Sequence, residues 1–171
     1  MVAYQFRMDT GYAGAVNRVH DATVVAEVID AASPPPGYGV MLAMDAATGT
    51  VRPPIAADTV AVLTGLYVRP YPTQGGGPVS GIVNDPLNQS TPPLSGVANV
   101  LKRGFMTVKL NAASPAVVKG QAIGVFIGAA TAGNPAGGIT GAAPGATVLA
   151  ANGTFMGPAD ANGITEVAYN L

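Results

Sequence analysis

The sequence predicts an all-β protein, a single β-sandwich or β-barrel-like domain with long Gly/Pro-rich loops that spans residues 1–171. Three observations predict it. Gly (23) and Pro (15) are spread through the chain, and both interrupt helices. The apolar residues fall in short β-branched runs, several of them alternating with a period of two. Turn signals punctuate the chain at intervals of about 10–20 residues, the rhythm of a sandwich or barrel.

The elements follow in order. Val2, Tyr4, Phe6 and Met8 alternate with Ala3, Gln5, Arg7 and Asp9, the pattern of a half-buried strand. Residues 1–20 are read as an N-terminal arm or first strand: segment 2–9 is either part of the core or an arm that adds to a neighbouring sheet. The β-branched run 22–30 predicts a strand that Pro34, Pro35 and Pro36 stop. The run 39–44, a turn at Asp45 to Gly49 and the return through Val51 outline a hairpin. Residues 60–69 form the longest strand candidate, with Gly65 marking a bulge or bend.

Residues 75–100 are rich in Gly, Pro, Ser and Asn and read as a long surface loop. Residues 105–110 alternate cleanly, and 116–118 and 121–127 read as strands joined at Lys119-Gly120. Residues 128–146 are nearly all Ala, Gly, Thr and Pro, a second surface loop. A short strand at 147–150 closes at Asn152-Gly153, Asn162-Gly163 is a tight turn, and 164–171 is the last strand.

Composition excludes several functions. Hydrophobic residues make up 49% and charged residues only 10%, against ~25% charged in an ordinary domain. Disorder requires the opposite balance. A net charge of −1 argues against nucleic acid as a partner. Residues 1–85 carry net −3 and residues 86–171 net +2, a small segregation. With no cysteine there is neither a disulfide nor a thiolate metal site. The N-terminus shows no basic and then apolar leader pattern, and the longest apolar run, 122–130, is under half of the ~20 residues a membrane helix needs. The chain is expected to be soluble, used without export and free of membrane contact.

Catalytic patterns are missing as well. His20 stands beside Asp21, but adjacent strand residues point to opposite faces and make a poor triad. No Walker loop or G-x-S-x-G elbow is present. Asp160-Ala161-Asn162-Gly163 fits a β-turn better than a calcium loop. No cofactor, metal or catalytic residue is therefore expected. Tyr67 and Tyr71 flank Arg69, either as a contact cluster of the residue types enriched at interfaces or as a solvated strand end. Together with Tyr4, Phe6 and Met8 they are the candidate partner contacts. So few charges leave much surface to be covered by partners, as in permanent assemblies.

Gly37-Tyr38-Gly39-Val40-Met41-Leu42 through Asp45, Thr48-Gly49-Thr50-Val51-Arg52 and the stretch from Leu63 through Val68-Arg69-Pro70 to Gln74 resemble the structural cement (decoration) proteins of tailed-bacteriophage heads. Gly14 to Arg18, the strand 104–108, the turn Lys119-Gly120-Gln121 and residues 162–168 fit the same pattern. The resemblance implies a structural protein on the exterior of the virion, with no active site. It would bind the outside of the expanded head, clamp adjacent major capsid subunits against DNA pressure, and act as a homo-oligomer, a trimer before a dimer. The alternative is a trimeric tail- or fibre-associated module that binds host glycan.

Overall fold

A computed structural model describes residues 11–69 and 92–171. Segment 2–9, Tyr71 and the 75–91 part of the first expected loop lie outside the described residues. The strands are β1 (Thr23–Ile29), β2 (Met41–Met44), β3 (Val51–Arg52), β4 (Leu63–Tyr67), β5 (Gly96–Lys109), β6 (Ala122–Phe126), β7 (Ile139–Thr140), β8 (Val148–Phe155) and β9 (Ile164–Tyr169). Helix is limited, among the described residues, to two 3-10 turns, Val19–Asp21 and Val60–Val62. The all-β expectation holds.

Five strands, in the order β1-β3-β2-β4-β5, close into a small barrel through the pairing of β5 back onto β1. The same β5 continues past the barrel and pairs with β9, followed by β8, β6 and β7. Its 14 residues therefore serve two sheets. Gly104 sits where it leaves one for the other. Its φ is +132° and a Cβ there would lie 3.0 Å from Ala22 Cα, so a larger residue would be strained on both counts.

The apolar runs are explained by two-sided burial. Met41, Leu42 and Ala43 are all 0% exposed. Met41, Leu66 and Leu101 join the core of the second sheet with Met106, Ile123, Phe155 and Val167. Leu42, Tyr67 and Val100 fill the barrel with Ile29, Val51 and Ala98. Strands covered on both faces need no alternation. The bulge expected at Gly65 is present: Leu42 faces Gly65 while Ala43 faces Leu63, which leaves Thr64 as the extra residue. Its hydroxyl donates to Glu27 Oε1 at 3.2 Å and contacts Lys102 Nζ, which also pairs with Glu27.

Several expectations are corrected. Residues 96–100 are strand, because β5 must reach back to pair with β1. The 60–69 candidate begins as a 3-10 turn, and 116–118 has no ladder partner. Loop 128–146 is not confined to the surface, since it carries β7, with Ile139 at 0% and Thr140 at 4% exposure. Asn152-Gly153 is not a turn but lies inside β8. There β8 spends the residues Ala150 to Thr154 opposite Ala122 to Gly124 of β6, a bulge. Gly153 passes so close to β9 that a Cβ would sit 2.5 Å from Ala168 O. Glycine is there for packing, a need that local sequence does not express.

Candidate interaction surface

Residues 14–17 are seated on β5. Gly14 N–H donates to Thr107 O at 2.7 Å, Thr107 N–H to Ala15 O at 2.9 Å and Asn17 N–H to Phe105 O at 3.2 Å. Arg69 N–H donates in turn to Gly14 O at 2.8 Å. This crossing gathers a ring cluster. The guanidinium of Arg69 lies 5.3 Å from the Tyr12 ring centroid and 5.9 Å from that of Tyr38, within reach of cation–π attraction. Tyr38 packs on Tyr67 with centroids 4.9 Å apart.

The two candidate contacts that fall within the described residues thus differ in placement. Tyr67 is 2% exposed and belongs to the barrel core, where burial, and then Tyr38, push its hydroxyl pKa well above the usual value. Arg69 is half-buried beside Tyr12, which is 46% exposed. Tyr67 supports the cluster from beneath, while Tyr12 reaches its surface. Tyr12 and Tyr38 carry no sequence signal for this role, because their meeting with Arg69 depends on the crossing of distant segments. Tyr4, Phe6, Met8 and Tyr71 lie outside the described residues.

A second surface was not legible in the sequence. On β1, Val24, Val25 and Val28 are 43%, 41% and 56% exposed, and on β5 Val97 is 60% exposed. Val28 and Val97 are direct cross-strand partners. Leu94, just before β5, is 69% exposed. The run 22–30 predicts a strand, but its β-branched residues carry no clean alternation to tell which face is covered. Exposure arises because β1 meets β3 only at Ile29 and Val51, leaving the rest of its outer edge uncovered among the described residues.

Charged groups are mostly committed to structure. Arg52 holds Asp58 by two hydrogen bonds, 2.8 and 3.0 Å. This pairing keeps the Asp58 carboxyl below the usual range, against the opposing effect of burial. Arg18 covers the Phe105 ring at 3.8 Å and reaches Glu166 at 3.5 Å. His20 is exposed in a 3-10 turn. Among the described residues, no group of three or more His, Asp or Glu could hold a metal ion. No helix among them is long and apolar enough to cross a membrane. What the surface offers is apolar strand, aromatic rings and backbone.

The fold is similar to a chain in the solved structure titled "The capsid of Myoviridae Phage XM1", with a TM-score of 0.67 and 24% identity over 98% of this chain and 95% of that one. No curated protein matches. A family model described as XM1 gp53 minor capsid protein matches residues 1–169. The chain accordingly belongs to the XM1 gp53 minor capsid protein family, and its role is that of a structural component of the phage virion.

Proposed function

We propose that this protein is a cement, or decoration, protein of the phage head. It binds the outer surface of the shell as a homo-oligomer, a trimer over local symmetry axes, and clamps adjacent major capsid subunits against the pressure of packaged DNA. Its task needs shape and adhesion, with no reacting group. The observation that carries this reading is the exposed apolar surface of Val24, Val28, Leu94 and Val97 on a chain with 10% charged residues. Contiguous exposed apolar surface marks a docking face. Arg69 and its ring neighbours supply a second contact of the type enriched at interfaces, and Tyr4, Phe6, Met8 and Tyr71 belong to the same contact set.

A hold built on apolar and backbone contacts resists salt. Exposed ion pairs contribute ~0–1 kcal/mol each, and at 1 M salt the screening length falls to ~3 Å. Apolar burial is not weakened in this way. Purified heads washed in molar salt should therefore keep the protein, and electron microscopy should place it on their outer face. Release by salt from an intact shell, or density only inside the head or at the tail tip, contradicts the reading.

A further inference from the structure

We propose that the outer edge of β1 receives the N-terminal segment 2–9 of a second copy of this chain, as an added strand that links the copies. The inference rests on the reading of the protein as a homo-oligomeric shell component and names the contact between copies.

The edge is chemically open. Asp30 N–H donates to Val51 O at 2.9 Å, across the β1–β3 contact. Backbone groups alternate sides along a strand, so those of Val24 and Ala26 point to this same outer edge. Among the described residues, β1 pairs beyond the Ile29–Val51 contact only with β5, on its other side. Two N–H and two C=O groups are thus presented in a row, unpartnered among the described residues. An exposed β-branched edge is a template for another strand. Its outward face carries Val24 and Val28, with Val97 beside them.

The occupant follows from the chain outside the described residues. Segment 2–9 has period-two alternation, which places Tyr4, Phe6 and Met8 on one face. Eight extended residues span about 26 Å, more than the free part of β1 requires. Tyr4, Phe6 and Met8 would cover Val24, Val28 and Val97, apolar against apolar. Where the segment starts argues for exchange between copies. Gly11 lies beside Thr107, at the far end of β5 from the open edge. Between them, residues 14–17 occupy the β5 edge, and the Val19–Asp21 turn stands out from it with Val19 72% exposed. A segment folding back onto its own β1 would have to run outside both, whereas a neighbour's segment meets the edge directly. Head-to-tail exchange of this kind closes into a ring, and a trimer is one such ring.

The absence of cysteine makes the test clean. Two single-cysteine full-length chains, Phe6→Cys and Val24→Cys, whose side chains share the face of the proposed contact, are co-expressed with different tags and treated with a short bismaleimide. A cross-linked product containing both tags is expected. A double variant that links only within one chain, or no product in either experiment, overturns the proposal. In parallel, Ala26→Pro removes one outward N–H and leaves the β1–β5 ladder intact. It should keep the circular dichroism of the parent and raise the concentration for half-dissociation by about tenfold, the equivalent of one backbone hydrogen bond. Unchanged association by light scattering also overturns it. Head binding is scored separately: a variant that fails to exchange segments yet still decorates heads refutes this contact and leaves the cement reading standing.

Discussion

Asp58 illustrates how single residues tune this protein. Its carboxylate accepts two hydrogen bonds from Arg52 and one, at 2.8 Å, from Ile55 N–H. Because these favour the charged form, the folded pKa lies below the unfolded one. The stabilisation is then complete above the unfolded value and is lost as pH falls through the folded one. Asp58→Asn should cost ~1–2 kcal/mol at pH 7. Its deficit should shrink below pH ~4 as the wild-type carboxylate protonates, and urea denaturation across pH 2–7 measures this. A constant deficit at all pH values would mean that packing, and not charge, holds the 53–58 loop.

At the scale of elements, β5 organises the molecule. One edge pairs with β1 and then with residues 14–17, and the other pairs with β4 and then with β9. The change of partners happens at Gly104. A side chain there meets both an unfavourable φ and the Ala22 backbone. Gly104→Ala should lower stability by ~2–3 kcal/mol, read as a lower urea midpoint at unchanged slope. A neutral Gly104→Ala would show that the passage from barrel to second sheet tolerates adjustment.

For the whole molecule, the two cores share the strands β2, β4 and β5, each offering one face to the barrel and the other to the second sheet. We propose that the chain unfolds as one domain for this reason. Phe155→Ala, in the second sheet, should cost ~3–5 kcal/mol. Hydrogen exchange should then show β2 amides of the barrel losing protection together with those of β9. Loss confined to β6, β8 and β9 would divide the chain into two independent units.

The all-β class, the β2–β3 hairpin, the bulge at Gly65 and the turn at Asn162-Gly163 were legible in the sequence, because turn chemistry and strand propensity act over a few residues. Tertiary structure alone decided that Asn152-Gly153 runs through a strand, that 96–100 belongs to β5, and that Ile139 in a Gly-rich stretch is core. It also decided that Tyr67 is buried beneath Arg69 and that the valines of β1 face outward. Burial and pairing at those positions depend on which distant segment arrives beside them. A valine reads the same in a local window whether a second sheet covers it or leaves it open for a partner.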